Sequence, residues 1–260
     1  METQFIKFEI ENGVGKITLN RPDVLNSFNK GMAMEVQYAL DICTHDKTIR
    51  AVYLTGEGRA FCAGQDLAEA TADDAPNIGE IVDKHYNPII KKIREIEKPV
   101  ICAVNGVAAG AGANVVYACD IIYAGKSATF IQSFAKIGLI PDSGGTFFLP
   151  RLVGLQRATA MMMLADKVTA DQALNYGMIY KVCEDAQLQE EAYSTAVYLA
   201  TQPTKGLGLT KRLLNLSLFN SLDDQLELER DMQIEAFDTD DNKEGIAAFL
   251  EKRKPVFKGE

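Results

Sequence analysis

Short apolar runs alternate along this chain with segments of helical periodicity, and this alternation limits the folds that it can adopt. Residues 51–55, 100–104 and 120–124 are predicted to be buried strands. Between them, residues 29–46 and 78–97 carry apolar side chains at helical spacing. Strands and helices that interleave in this way predict an α/β fold rather than separate β and α domains.

The two ends of the chain are predicted to differ from this interleaved part. Alternating runs on either side of Asn12-Gly13 predict a β-hairpin at the N-terminal end. From Pro203 to about residue 250 the pattern is helical, and the composition shifts at 201–203. We therefore expect a core over residues 1–200 and a helical region over residues 201–260.

Composition and charge exclude several classes of protein. Lys and Arg total 27 against 36 Asp and Glu, a net charge of −9, so a general nucleic-acid binder is not expected. We also expect no secretory signal and no membrane partner, since no 18-residue apolar run occurs. Five widely spaced cysteines and only two histidines predict free thiols in a reducing, cytoplasmic compartment and no metal site.

Two loops rich in small residues are candidates for binding an anion or a polarised oxygen. Residues 105–114 follow a predicted strand and open a helix, but their GxxxGxG order fits neither a dinucleotide fingerprint nor a P-loop. Residues 60–67 form a second such loop. Backbone amides of both loops can converge on one oxygen, as an oxyanion hole requires, whereas the alternative is tight helix packing.

A third loop, residues 138–146, places Asp142 among apolar residues and glycines. Its carboxylate is predicted either to have a raised pKa and act as an acid or base, or to cap a helix that begins near Ser143. Ser143 lacks the GxSxG context of a hydrolase nucleophile. His85 is a candidate base, although a histidine on a helix surface is the commoner case.

The segments that carry chemistry also occur in a recognisable order. They are Leu19-Asn-Arg-Pro, Asn26-Ser-Phe, Phe61-Cys-Ala-Gly-Gln-Asp-Leu, Lys98-Pro-Val-Ile-Cys-Ala-Val-Asn-Gly, Cys119-Asp-Ile-Ile-Tyr-Ala and Gly138-Leu-Ile-Pro-Asp-Ser-Gly-Gly-Thr. As a set they resemble the crotonase (enoyl-CoA hydratase/isomerase) superfamily over essentially the whole chain. The resemblance implies a spiral of ββα units followed by a helical C-terminal trimerisation region.

The resemblance also implies a substrate and a set of binding residues. Family members bind acyl-CoA and stabilise a thioester enolate with two backbone amides, which fall here on Gln65 and Ala111. It implies a homotrimer or a dimer of trimers, and no cofactor beyond the CoA of the substrate. The implied CoA-binding positions are Leu25, Ala63, Asp66, Leu67, Gly110, Phe249 and Lys252, the last two by contact from a neighbouring subunit.

Departures from the family pattern point to one reaction. The two glutamates of hydratases are replaced by Asn114 and Phe134, while Asp142 stands where isomerase branches carry an aspartate. We therefore expect an isomerase in which Asp142 moves a proton, and in which Phe134, Ile137 and Leu139 exclude water.

Five further segments carry a narrower resemblance: Tyr86-Asn-Pro-Ile-Ile, Asn105-Gly-Val-Ala-Ala-Gly-Ala-Gly-Ala, Leu139-Ile-Pro-Asp, Leu199-Ala-Thr-Gln-Pro-Thr-Lys-Gly-Leu-Gly-Leu and Leu226-Glu-Leu-Glu-Arg-Asp. They are similar to the ring-1,2-epoxyphenylacetyl-CoA isomerases of phenylacetate degradation. Residues 69–84 are expected to shape the acyl pocket. The alternatives are a generic 3,2-enoyl-CoA isomerase, a hydratase-like enzyme of lipid catabolism, and a catalytically silent acyl-CoA-binding subunit.

Overall fold

The computed structural model describes residues 3–71 and 76–260, with the side chain of residue 70 outside the description. Part of the segment predicted to shape the acyl pocket, residues 72–75, therefore lies outside the described residues. The strands are β1 Ile6–Glu11, β2 Val14–Leu19, β3 Ala51–Gly56, β4 Ala60–Cys62, β5 Val100–Val104, β6 Val107–Ala109, β7 Ile121–Gly125, β8 Thr129–Ile131, β9 Lys167–Thr169 and β10 Lys181–Cys183.

The helices lie between and after these strands. The α-helices are α1 Lys30–His45, α2 Leu67–Ala70, α3 Ile78–Ile81, α4 Asn87–Glu95, α5 Ala111–Ala118, α6 Gly145–Val153, α7 Leu155–Leu164, α8 Ala170–Asn175, α9 Leu188–Ala200, α10 Thr204–Leu216, α11 Leu222–Phe237 and α12 Asp240–Glu251. Short 3₁₀ turns occur at Pro22–Val24 and Ser133–Ile137, and a π-helical turn at Val82–Tyr86 joins α3 to α4. None of the helices in the described part of the chain has the length and apolar character needed to cross a membrane.

The strands form two sheets that the chain visits in turn. A six-stranded sheet has the order β1-β2-β3-β5-β7-β10, and a four-stranded sheet has the order β4-β6-β8-β9. The pairs β3–β5, β5–β7, β4–β6 and β6–β8 are parallel. From β3 to β8, each turn of the chain adds one strand to each sheet, and a helical segment follows. This confirms the α/β prediction and the spiral of ββα units.

The predicted hairpin is confirmed, since β1 pairs antiparallel with β2 around Asn12-Gly13. The predicted strands at 51–55, 100–104 and 120–124 and the helix at 29–46 also match β3, β5, β7 and α1. Asn29 caps α1 by accepting a hydrogen bond from the Met32 amide. The sequence pattern missed the three-residue strands β4, β6, β8 and β9, because runs this short carry no measurable period.

Two apolar clusters fill the two faces of the large sheet. The larger cluster joins α1, α4 and α5 to both sheets and includes Tyr86, Phe28 and Cys62. The smaller cluster lies under α9 and includes Tyr53. All five cysteines are buried and free, as expected. Within the described residues, no group of three or more His, Cys, Asp or Glu is placed to hold a metal ion.

The C-terminal region begins with a helix that is anchored to the core. Lys211 of α10 is 7% exposed, and its Nζ donates to the carbonyl of Ile93 and lies 2.7 Å from a carboxylate oxygen of Asp120. The continuous helical pattern after Pro203 is divided into α10, α11 and α12, which confirms a helical region but not its predicted role in trimerisation.

Candidate active site

The two loops that the sequence singled out lie side by side, which confirms their predicted proximity. We call residues 62–66 and 109–112 the amide loops. Gly64 has φ +99°, and a Cβ there would lie 3.1 Å from the carbonyl oxygen of Ala109 and 3.8 Å from the amide nitrogen of Ala111. Only glycine permits both this dihedral angle and this approach. The two backbones are therefore held in direct contact.

The first amide loop leaves one amide free. Phe28 donates its amide to the Gly64 carbonyl over 2.7 Å and accepts from the Asp66 amide over 2.8 Å. This short parallel bridge satisfies the residues on either side of Gln65. Among the described residues, no acceptor takes a hydrogen bond from the Gln65 amide.

The second amide loop supplies the first amide of α5. Gly110 precedes the helix with φ +52° and ψ −127°, and Ala111 is the first helical residue. The helix lies directly on β4, since a Cβ at Gly112 would fall 2.6 Å from the Cys62 carbonyl oxygen. The Ala111 amide has no acceptor among the described residues and points from the positive end of a helix dipole. A polarised oxygen is the natural partner for both free amides.

The loop that carries Asp142 is held by side chains. We call residues 138–144 the aspartate loop. Asn114, in the first turns of α5, donates its Nδ2 to the Asp142 carbonyl over 2.8 Å, and its Oδ1 accepts from Gln132 Nε2 over 2.8 Å. A Cβ at Gly145 would lie 2.5 Å from Asn114 Nδ2, so this glycine is needed for the close approach. Asp142 is thereby fixed beside the helix that begins with Ala111.

The Asp142 side chain does not cap a helix, so that interpretation is wrong. Helix α6 begins at Gly145 after Gly144 in a left-handed conformation, with no side-chain cap. The carboxylate instead accepts from Ser143 Oγ over 2.8 Å. Burial raises the pKa of Asp142, and the hydroxyl of Ser143 offsets part of that increase. A carboxylate with a raised pKa suits proton transfer near neutral pH.

The surroundings of the carboxylate are partly as predicted. Phe134 is 7% exposed, and its ring lies 3.8 Å from where a Cβ of Gly110 would be. It therefore lines the second amide loop. Ile137 and Leu139 are exposed in the single chain, so the prediction that they exclude water is wrong for the chain by itself. At the two positions that the family resemblance assigns to the hydratase glutamates, the structure thus has an amide that holds the Asp142 carbonyl and an apolar ring.

Four of the predicted CoA-binding residues lie together next to Gln65. The Ala63 amide donates to the Leu25 carbonyl over 3.0 Å, which joins the two segments. Asp66 pairs with Arg21 over 2.8 Å and accepts from the Ala68 amide at the start of α2. Leu67 is 53% exposed. The adjacency fits a ligand surface, and its role in binding CoA stays a prediction.

The last two predicted CoA residues lie on another part of the molecule. Phe249 lies in α12 and is 83% exposed, and Lys252 is the residue that directly follows this helix. This helix packs on α11, and the C-terminal tail returns to it through bonds from the amides of Lys258 and Gly259 to Asp241. Their predicted contact with CoA crosses a subunit boundary and stays a prediction.

Sequence reasoning missed Tyr86. The pattern predicts one helix over 78–97, whereas Pro88 cannot donate to the Lys84 carbonyl and a π-helical turn ends at Tyr86. Gln37 Nε2 donates to the Lys84 carbonyl over 2.8 Å instead. Tyr86 is buried and donates its hydroxyl to Gln65 Oε1. His85 is 4% exposed, so the prediction of a histidine on the helix surface is wrong.

Comparison with known proteins places this geometry in a family. The family model for enoyl-CoA hydratase/isomerase matches residues 9–260. The chain is 48% identical to 1,2-epoxyphenylacetyl-CoA isomerase of Escherichia coli K12, over 98% of this chain and 99% of that protein. It is 41% identical to a probable enoyl-CoA hydratase of Rhodobacter capsulatus, over the full length of both chains.

A solved structure supports the same family assignment. The crystal structure of enoyl-CoA hydratase from Bacillus anthracis superposes with a TM-score of 0.92 at 32% identity, over 99% of this chain and 100% of that one. The family model, the relatives and this structure all cover nearly the entire chain. The chain belongs to the enoyl-CoA hydratase/isomerase family and has the crotonase fold.

Proposed function

We propose that this protein is an acyl-CoA isomerase that transfers a proton through a thioester enolate. Membership of the family supports a CoA thioester as substrate. The observation that carries the choice of isomerase is the Asp142 carboxylate in the aspartate loop, with no carboxylate at Asn114 or Phe134. Asp142 is partly buried with a raised pKa, whereas Asn114 and Phe134 occupy the positions of the hydratase glutamates.

The mechanism assigns one task to each side of the site. The free amides of Gln65 and Ala111 bind the thioester oxygen and stabilise the negative charge that develops when the C2 proton leaves. Removal of one such donor typically costs about 3 kcal/mol of transition-state stabilisation. Asp142 accepts the C2 proton and returns it at another carbon, which shifts the double bond without any net gain or loss of protons.

Hydration is expected to be very weak. Addition of water to a 2-enoyl-CoA needs a group that accepts a proton from the water, and hydratases use two carboxylates for this. Neither an asparagine side chain nor a phenylalanine ring accepts a proton at neutral pH. The Asn114 side chain is also engaged on both of its ends, by Gln132 and by the Asp142 carbonyl.

The finer proposal concerns the substrate. The 48% identity to 1,2-epoxyphenylacetyl-CoA isomerase supports conversion of ring-1,2-epoxyphenylacetyl-CoA to the oxepin thioester, together with a 3,4-to-2,3 double-bond shift. A generic 3,2-enoyl-CoA isomerase is the second candidate. Side-by-side rates on the ring epoxide and on a straight-chain 3-enoyl-CoA separate the two, because a generic enzyme acts on the straight chain alone.

The family also supports further proposals about partners. CoA binds across Leu25, Ala63, Asp66, Leu67 and Gly110, with Phe249 and Lys252 supplied by a neighbouring subunit of a homotrimer or of a dimer of trimers. The enzyme acts in the cytoplasm, which fits five free thiols, and needs no cofactor beyond the CoA of its substrate. Light scattering of the protein tests the assembly, since a mass of one chain, 28.5 kDa, contradicts both the trimer and the dimer of trimers.

The proposed function is tested with Asp142→Asn, which preserves the shape of the side chain and removes its ability to accept a proton. Double-bond migration and exchange of the C2 proton into deuterated solvent are measured on a 3-enoyl-CoA, beside hydration of a 2-enoyl-CoA. We expect migration without hydration in the wild type, and a loss of 10²–10⁴-fold in the variant with unchanged CoA-thioester affinity.

A matched control is Asp46→Asn. Asp46 also accepts a hydroxyl hydrogen bond, from Thr48 Oγ1 over 2.7 Å, but it follows α1 on the surface. It is expected to retain full activity. Hydration that survives Asp142→Asn, or migration at the wild-type rate in that variant, contradicts the isomerase proposal. Binding of the thioester with no exchange of its C2 proton indicates a silent acyl-CoA-binding subunit.

A further inference from the structure

Tyr86 is a wholly buried residue to which neither the sequence pattern nor the proposed mechanism assigns a task. It is 1% exposed and lies at the end of the π-helical turn, with its ring edge-on to Phe28 at a centroid distance of 5.7 Å. Its hydroxyl donates to Gln65 Oε1. A buried hydroxyl needs a partner, so this contact fixes both side chains.

The backbone on both sides of Gln65 is bonded to Phe28. The Gly64 oxygen accepts from the Phe28 amide, and the Asp66 amide donates to the Phe28 carbonyl. Gly64, at φ +99°, has no side chain that could pack against its neighbours, so the Gln65 side chain is the group that can add a further contact to this segment. The direction of the Gln65 amide therefore depends in part on what holds that side chain.

We infer that Tyr86 is a positioning residue that holds the Gln65 side chain and thereby aims the Gln65 amide at the thioester oxygen. Tyr86 is the last residue of the π-helical turn, so this turn determines where its side chain lies. Such turns are often found at functional sites. This inference rests on the proposed function, because it assigns the Gln65 amide to that oxygen.

The hydroxyl stays a donor over the working pH range. Burial raises the pKa of Tyr86 well above its ordinary value, and the negative charge of Asp142 contributes further. The contacts of Tyr86 are with Gln65 of the first amide loop and with Phe28, so it can act on the reaction only through the loop.

The inference is tested with Tyr86→Phe, which removes one oxygen atom and keeps the ring. We expect kcat on a 3-enoyl-CoA to fall by about 10- to 100-fold with KM changed by less than about twofold, because misplacement of a catalytic group acts on the transition state. Gln65→Leu removes the same hydrogen bond from the other side and keeps the main-chain amide. The double variant is expected to lose no more than either single variant.

Tyr53→Phe is the matched control. Tyr53 is also fully buried and also donates its hydroxyl to a glutamine, Gln189 Oε1, over 2.6 Å, but it lies in the cluster under α9. The Tyr53→Phe variant loses the same kind of hydrogen bond, so its thermal stability is expected to fall as in Tyr86→Phe. Its kcat is expected to remain at the wild-type value.

A spectroscopic measurement separates this inference from the proposed function. 4-Dimethylaminocinnamoyl-CoA absorbs at longer wavelength when its carbonyl is polarised by hydrogen bonds. We expect a red shift on binding to the wild type and to Tyr53→Phe, and a smaller shift at equal affinity in Tyr86→Phe. This readout needs no turnover, so it supports the positioning role even where the wild type moves no double bond.

Other outcomes overturn the inference. Wild-type kcat and red shift in Tyr86→Phe exclude the positioning role and leave the isomerase proposal intact. Equal losses in Tyr86→Phe and Tyr53→Phe reduce the role of Tyr86 to general stability. A red shift absent from the wild type removes the assignment of the amides on which the inference rests.

Discussion

The two halves of the candidate site are both built from loops, yet they are held in different ways. The amide loops are fixed by backbone, through the bridge to Phe28 and the close approach of Gly64 to Ala109. The aspartate loop is fixed by side chains, above all Asn114. The difference shows that the oxygen-binding half depends mainly on the fold itself, with a further contact proposed from Tyr86, whereas the proton-transfer half depends mainly on single side chains.

Among the changes that loosen one half of the site and leave its reacting groups in place, the largest effect is expected where the backbone half is disturbed. Gly64→Ala places a Cβ 3.1 Å from the Ala109 carbonyl oxygen at φ +99°, so the amide loops must separate. We expect a loss of about 1–3 kcal/mol in stability and of 10²–10³-fold in kcat. Thermal unfolding and isomerisation rates measure the two effects.

Gly154→Ala is the control for strain without a clash. Gly154 has φ +80°, and no atom lies within 4 Å of its would-be Cβ. It is expected to lose stability at unchanged kcat. If Gly64→Ala behaves in the same way, the close contact of the amide loops does not matter for catalysis.

An intermediate effect is expected where the side-chain half is disturbed. Asn114→Ala leaves the Asp142 carbonyl and Gln132 Nε2 without this partner, which costs about 1–3 kcal/mol of stability. A loosened Asp142 should lower kcat by about 10²-fold with little change in affinity for the thioester. Steady-state kinetics and thermal unfolding of the variant measure both.

Asn105→Ala serves as the comparison for Asn114→Ala. The Asn105 side chain also donates to a backbone carbonyl, that of Gly58, over 2.8 Å. It should lose stability alone. Equal kinetic losses in the two variants would contradict a specific role of Asn114 in holding the aspartate loop.

The smallest effect is expected from pH. Because burial raises the pKa of Asp142, the folded protein holds this proton more tightly than the unfolded chain does. The stability advantage of the protonated form is complete below the ordinary value of 3.8 and is lost as pH rises through the raised pKa. The isomerisation rate should rise as pH rises through the raised pKa of Asp142, because the base must be ionised to accept a proton.

Asp142→Asn removes this titration. At neutral pH the variant should melt at a higher temperature than the wild type, and this difference in melting temperature should disappear in acid. A difference of about 1 kcal/mol in stability corresponds to about 2–4 °C in melting temperature. Melting curves and kcat/KM between pH 4 and pH 8 check both limbs. A difference in melting temperature that does not change with pH contradicts a raised pKa of Asp142. So does a kcat/KM profile that falls in acid only at the ordinary pKa of an aspartate.

The sequence predicted the parts of the site that depend on local patterns. Strands β3, β5 and β7 have clear apolar runs, and glycines mark the amide loops, so the convergence of the two loops followed from strand and loop order. The resemblance to the family then singled out Gln65 and Ala111. The small sheet was missed because its three-residue strands pair only with distant segments. Its existence nevertheless determines where the amide loops meet.

Contacts between distant side chains could not be predicted from local patterns. Asn114 holds the carbonyl of Asp142 28 positions away, and Tyr86 reaches Gln65 21 positions away. Nothing in the local sequence of Asn114 or Gln132 separates a positioning amide from a core one. The Tyr86-Asn-Pro88 motif did carry a usable signal, because proline inside a helical pattern predicts a break in the backbone hydrogen bonds.

The π-helical turn at Val82–Tyr86 has a consequence for how the segment predicted to shape the acyl pocket can change. A π-helical turn holds one residue more than an α-turn, so the loss of one codon between 82 and 85 converts one into the other. Because Ile89, Ile90 and Ile93 keep α4 in the core, Tyr86 would stay in place. The preceding segment, Ile78–Ile81, would rotate by about 100°. A change in chain length can therefore remodel that wall of the molecule in one evolutionary step, while every residue proposed to take part in the chemistry is retained.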